Sequence, residues 1–116
     1  MNRRQSGREA EYTAEMYLID KGYEILDRNY YGDRCEIDLI ARKGNIVIFA
    51  EVKSSATVIP PVIRVDKTKV EHLARAALAF LAENENKSLD YRFDIITLTR
   101  KGENWKVNHY EDAFRL

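Results

Sequence analysis

Residues 35–55 read CEIDLIARKGNIVIFAEVKSS, two mainly apolar runs separated by Gly44-Asn45. That dipeptide between alternating runs is the signature of a two-residue hairpin turn. Along a strand successive side chains leave on opposite faces. Cys35, Ile37, Leu39 and Ala41 therefore share one side, and Glu36, Asp38, Ile40 and Arg42 the other. On the returning strand Ile48, Ala50 and Val52 oppose Val47, Phe49, Glu51 and Lys53, and the apolar sets are expected to face the core together.

A turn at Gly44-Asn45 fixes the register, with Ile40 opposite Phe49, Asp38 opposite Glu51 and Glu36 opposite Lys53. Two carboxylates about 5 Å apart repel by roughly 3 kcal/mol at an effective dielectric of about 20. Solvent screening, a raised pKa on one carboxylate, or a cation held between them would offset that repulsion. Spacing alone leaves two readings open, a solvated charge ladder with Glu36 paired to Lys53, or a divalent-cation site with Lys53 beside it.

Outward from the hairpin, Ser6 and Glu9 match a capping box, and Ala10, Ala14, Tyr17 and Leu18 follow at helical spacing until Gly22. A helix is expected over residues 7–21. Tyr23 to Tyr31 reads as a first strand, turned by Gly32-Asp33 into the hairpin. After the hairpin, SSATVIPPVIR is a long loop broken by Pro60-Pro61. Asp66 is a candidate N-cap for a helix over 67–84, with Val70, Leu73, Ala74, Ala77 and Leu81 as its apolar stripe. YRFDIITLT and then Trp105 to Tyr110 read as the last two strands. The order αβββαββ implies an α/β layer, helices against a mixed sheet.

The chain has 116 residues, 45% of them hydrophobic, enough for one core and one domain, 1–116. Its formal net charge is +0, so no basic excess announces nucleic acid. One cysteine excludes an internal disulfide and, with two histidines, the usual zinc spacings. The N-terminus has no apolar stretch behind its charges, and no membrane-spanning run occurs. A cytoplasmic protein is expected, with no membrane partner.

Asp38 followed across a hairpin by Glu51-Val52-Lys53 resembles the signature of the PD-(D/E)XK, restriction-endonuclease-like superfamily. The wider run GREAEYTAEMYLIDKGYEIL, EIDLIARKGNIVIFAEVK, VDKTKVEHLARAALAFL, RFDII and EDAF is similar to the bacterial YraN family of uncharacterised nuclease-like proteins. The resemblance implies a restriction-endonuclease-like core and a phosphodiesterase using Mg²⁺ or Mn²⁺ on DNA, branched or otherwise structured. It implies Asp38 and Glu51 as metal ligands with the Val52 carbonyl, Lys53 as the residue that positions or deprotonates the attacking water, and Glu11 at the edge of the site. These roles suit the chemistry. Mg²⁺ is a hard ion satisfied by one or two carboxylates plus waters, and lysine offers a compact positive charge to the phosphate.

Four positions depart from that pattern: Ala10, Cys35 and Ser55 replace glycine, glycine and arginine, and Ile37 stands where the superfamily name has proline. Lys69 matches the family's lysine early in the second helix, with a solvated helical lysine as the alternative. Arg3, Arg4 and Arg8 could neutralise phosphates, or belong to a frayed terminus. Asp94 is expected to form a structural salt bridge with Arg92 or another basic group rather than to bind metal, and His72 and His109 to take surface or hydrogen-bonded roles. Cys35, Tyr30, Tyr31 and Trp105 are expected to pack in the core. The reading that follows is a metal-dependent endonuclease, with a homodimer suited to paired cuts on a symmetric junction. The rival is a nucleic-acid-binding or accessory protein that keeps the fold without cutting.

Overall fold

The computed structural model describes residues 3–55, 67–84 and 89–114. Seven elements follow in the order αβββαββ: α1 (Arg3–Asp20), β1 (Glu24–Gly32), β2 (Cys35–Lys43), β3 (Ile46–Ser55), α2 (Lys67–Glu83), β4 (Asp90–Lys101) and β5 (Asn104–Phe114). The strands form one sheet in the order β1-β2-β3-β4-β5. β3 and β4 run parallel, joined through α2, and the other neighbours are antiparallel.

β3 sits at the centre because it can be buried on both faces. Val47, Ile48, Phe49 and Ala50 are successive residues at most 2% exposed, the uninterrupted apolar run that a two-sided strand requires. On one face α1 lays Ala10, Ala14 and Leu18 against Leu39, Ala41, Ile48, Ala50, Ile96 and Leu98. On the other, α2 covers Ile37, Ile40, Val47 and Phe49 with Leu73, Ala76, Ala77 and Phe80. The α2 stripe is rotated from the expected one: Ala76 and Phe80 are buried, while Val70, Ala74 and Leu81 are only partly so. Phe80 stands edge-on to both Tyr30 and Phe49, and its large ring draws that side of the helix onto the sheet.

α1 begins earlier than the capping box suggests, so Ser6 lies inside the helix rather than at its N-cap. Its C-terminus follows the expectation. Gly22 has φ 94°, its N–H donates to Ile19 O (3.0 Å), and the Tyr23 N–H donates to Leu18 O (2.9 Å). This is the Schellman arrangement, and the Lys43 ammonium caps a further carbonyl, Lys21 O, at 2.7 Å. A β-carbon at Gly22 would be forced into the left-handed region. Gly22→Ala is therefore expected to cost about 1–2 kcal/mol, read as a lower urea midpoint with an unchanged slope.

The hairpin turn is as expected, with Gly44 at φ 62° and pairs from Lys43–Ile46 to Leu39–Ala50. Beyond that the register departs from expectation. β2–β3 pairing stops at Leu39–Ala50, whereas β1–β2 pairing continues to Gly32–Cys35. The first part of β2 thus stays with β1 and twists away from β3. Ile37 turns to the α2 side, where Cys35 also packs, while Leu39 and Ala41 face α1. The four residues predicted on one face are split two and two, and Asp38 lies at the point of division. The glycine replaced by Cys35 is not missed, because the positive φ angles fall on Asp33 (47°) and Arg34 (66°).

β5 extends to Phe114, four residues past the predicted end, across a shift in register between Phe93 and Ile95. Tyr30 and Trp105 pack against the core as expected, but Tyr31 is 69% exposed. The long loop beyond Ser55 and the Asp66 cap lie outside the described residues.

Candidate functional site

Where β2 and β3 part, Asp38 spans the opening. Its Oδ2 accepts the Val52 N–H at 2.8 Å, so the side chain of one strand holds the backbone of the other. Asp38 and Glu51 both line a cavity of about 220 Å³ that also includes Glu36, Lys69, Leu73 and Phe93. The predicted direct cross-strand pairing of Asp38 with Glu51, and of Glu36 with Lys53, is absent from the ladder. The two carboxylates are brought together by the opening of the strands rather than by register.

Their proximity is electrostatic as well as geometric. Burial pushes the Asp38 carboxyl above its usual range, and Glu51 and Glu36 push it further, against the Val52 N–H bond and the Lys69 charge. Glu11, on the inner side of α1 one turn from Ala14, is also raised, first by burial and then by Asp38 and Glu36. The first helix thus brings its carboxylate into the field of the same cluster.

Glu51 has two differently treated oxygens. Oε1 is ion-paired to Lys69, whereas Oε2 is buried with no hydrogen-bond donor among the described residues. A buried acceptor without a donor is costly and uncommon. Lys53 is half-buried two residues beyond Glu51 and so leaves β3 on the same face. The cation bonded to Glu51 is nevertheless Lys69, a contact between β3 and α2 that the hairpin alone could not reveal. Arg8 is exposed on α1.

Two carboxylates and a backbone carbonyl are hard oxygen donors of the kind that Mg²⁺ or Mn²⁺ takes. The unpartnered Glu51 Oε2 supplies an acceptor for such an ion to satisfy, so Asp38, Glu51 and Val52 fit the group. Among the described residues no set of three or more His, Cys, Asp or Glu side chains forms a protein cage for a metal. Waters would complete the coordination, as they commonly do for Mg²⁺.

Beside this cavity lies a polar network only partly foreseen. Asp94 is fully buried and stands next to Ala50 in the parallel register. Arg92 grips it with two bonds, Nε to Oδ1 at 2.7 Å and Nη2 to Oδ2 at 2.8 Å. His109 Nε2 donates to Oδ2 (2.7 Å) and the Asp112 N–H to Oδ1 (3.0 Å). Burial alone would raise the Asp94 pKa, but His109, Arg92 and the Asp112 N–H outweigh it and hold the carboxyl below its ordinary value. His109 Nδ1 lies 3.1 Å from the Tyr17 hydroxyl, tying α1 to the far strand. The Arg92–Asp94 pair was legible as an i, i+2 pair on one strand face. His109, Asp112 and Tyr17 were not, since the β4–β5 register brings the first two to Asp94 and Tyr17 reaches His109 from α1.

The fold and the site define a mixed α/β fold in which β2 and β3 part beside a cavity lined by two carboxylates, Asp38 and Glu51. The chain belongs to the uncharacterised protein family UPF0102, whose model matches residues 10–98, a span that includes Asp38, Glu51, Lys69 and Asp94. It is 40% identical over 105 residues to a UPF0102 protein of Pseudothermotoga lettingae, covering 90% of this chain and 94% of that one. A UPF0102 protein of Carboxydothermus hydrogenoformans is 38% identical over 115 residues, covering 97% of this chain and 98% of that one. One from Sulfurihydrogenibium sp. is 36% identical along 100% of this chain and 99% of its own. Among the described residues no helix is long and apolar enough to cross a membrane.

Proposed function

We propose that this protein is a metal-dependent endonuclease of the PD-(D/E)XK type, in the YraN group, hydrolysing phosphodiester bonds in branched or otherwise structured DNA. The observation that carries the reading is the unpartnered, buried Glu51 oxygen in the cavity it shares with Asp38. Mg²⁺ or Mn²⁺ held by Asp38, Glu51 and the Val52 carbonyl would supply Lewis-acid stabilisation of the phosphate and a more acidic water. Asp38 is already oriented for this by its bond to the Val52 N–H. Lys53, on the Glu51 face, positions the water and meets the charge that grows on the phosphate oxygens. Glu11, within the field of Asp38, adds negative charge that favours a cation and keeps the phosphate itself dependent on one.

The test incubates the pure protein with linear duplex, single-stranded and four-way-junction DNA, with Mg²⁺, Mn²⁺ or chelator. Cleavage is expected only with the metals, and Lys53→Ala is expected to lower its rate by about 10²–10³. Cleavage in chelator would overturn the metal mechanism. Metal-dependent binding without any cut would make the chain an accessory protein on the same fold.

A further inference from the structure

The Lys69–Glu51 ion pair has a role within that same site, and the inference rests on the metal reading above. We propose that Lys69 is a built-in counter-cation, holding Glu51 in the metal-free protein and displaced from it when a divalent cation binds.

Three observations lead there. The Lys69 ammonium is bonded to Glu51 Oε1, on the same carboxylate whose Oε2 is the open acceptor, so an ion that draws on both oxygens takes the ammonium's place. Lys69 also lines the same cavity as Asp38. The two ends of the pair differ in burial: the Glu51 side chain is 15% exposed and that of Lys69 is 44% exposed. The carboxylate is therefore fixed in the cavity wall, while the lysine reaches it from the first turn of α2 on a long stem with room to withdraw. Lysine is suited to this, being a point charge on a flexible chain rather than a planar, two-pronged clamp.

The arrangement has a physical rationale. Glu36, Asp38 and Glu51 line one small cavity that Asp94 also borders, and without a cation the repulsion among the first three would weigh on the fold. A tethered ammonium offsets it. A divalent ion carries twice the charge and can bind both Asp38 and Glu51, so it wins the place at sufficient concentration. The displaced ammonium then stays in the cavity lining, where its charge meets an incoming anion.

The test is a Mn²⁺ titration of the DNA-free protein at fixed ionic strength, following the free-ion electron paramagnetic resonance signal. Lys69→Met is expected to bind Mn²⁺ about tenfold more tightly, because a competing charge a few ångströms away is gone. Lys67→Met, at an exposed lysine two residues earlier on the same turn, is expected to stay within about twofold of the parent, and Lys69→Arg, a two-pronged clamp on the same carboxylate, to bind Mn²⁺ no more tightly than the parent. The α2 packing rests on Leu73, Ala76, Ala77 and Phe80, so these exchanges leave the fold in place. In a second readout, the Lys69 side-chain ¹⁵N resonance, assigned by its loss in Lys69→Met, is expected to move on adding Mg²⁺. Equal Mn²⁺ affinity in Lys69→Met and Lys67→Met, an unmoved resonance, or no binding in any variant would overturn the proposal. DNA cleavage is scored separately. Tightened Mn²⁺ binding with uncut DNA keeps the counter-cation and removes the nuclease, while cleavage with Mn²⁺ affinity indifferent to Lys69 does the opposite.

Discussion

Asp38→Asn is expected to abolish metal-dependent cleavage, by about a thousandfold or more, and to make the metal-free protein more stable. The loss follows from the ligand set. An amide oxygen lacks the negative charge that binds the cation, and a thousandfold corresponds to about 4 kcal/mol of transition-state stabilisation. The gain follows from burial. The Asp38 carboxyl is raised by desolvation and by Glu51 and Glu36, so the folded protein binds its proton more tightly than the unfolded chain. Such a group contributes stability below its unfolded pKa and loses it as pH rises through the folded one. At neutral pH the ionised form is therefore a cost. Asparagine removes that charge and keeps an oxygen to accept the Val52 N–H. A rise of about 1 kcal/mol is expected, read from thermal melts in chelator at pH 7 and shrinking as the pH falls. A less stable variant that still cleaves would show that Asp38 is a structural strut.

The elements of the sheet were legible because their signals are local. Gly44-Asn45 and the alternation around it set the hairpin register as far as Leu39–Ala50, and Gly22 ended the first helix at its left-handed residue. What local pattern could not supply is the parting of β2 from β3. That depends on β2 having a second partner, β1, to follow when it leaves β3, and on a face of α2 ready to receive Ile37. Strict alternation placed Ile37 beside Leu39 and set Asp38 directly against Glu51. The strands instead open there, and the opening makes the cavity.

The site was legible by residue type and only partly by contact. Asp38, Glu51 and Glu11 fall in one electrostatic cluster. Lys69 is the cation on Glu51, though its position 18 residues along the chain in another element gave no periodic clue. His109 and Tyr17, 92 residues apart, meet only because α1 crosses the sheet on the face from which β5 presents the imidazole. Contacts of that range are made by topology, and pattern reading sees them only after the strand order is known.

Asp94→Ala is expected to cost about 3–5 kcal/mol of stability, enough to unfold a marginal domain of this size at moderate temperature. The figure comes from what remains after the carboxylate is gone. Arg92 keeps its charge in a half-buried position, with the Tyr23 hydroxyl as a neutral companion at 3.0 Å and Glu111 only at 3.8 Å. His109 loses the acceptor for Nε2, and the Asp112 N–H, at a φ of 53°, loses the bond that justifies its turn. The acid limb separates charge from packing. Because the Asp94 pKa is lowered in the folded state, its contribution is complete above the unfolded value near 4 and disappears as pH falls through the folded one. The stability gap between parent and Asp94→Ala, measured by urea unfolding, is thus expected to narrow steadily below about pH 4. A gap equally wide at pH 3 and pH 7 would assign the loss to a cavity instead. The effect also reaches the site. Asp94 neighbours Ala50 in the register, one residue before Glu51, and through His109 and Tyr17 it fixes the helix that carries Glu11. A protein weakened here is expected to hold Mn²⁺ less tightly even when folded, because Glu51 in the cavity wall and Glu11 in the field of Asp38 depend on this network for their place.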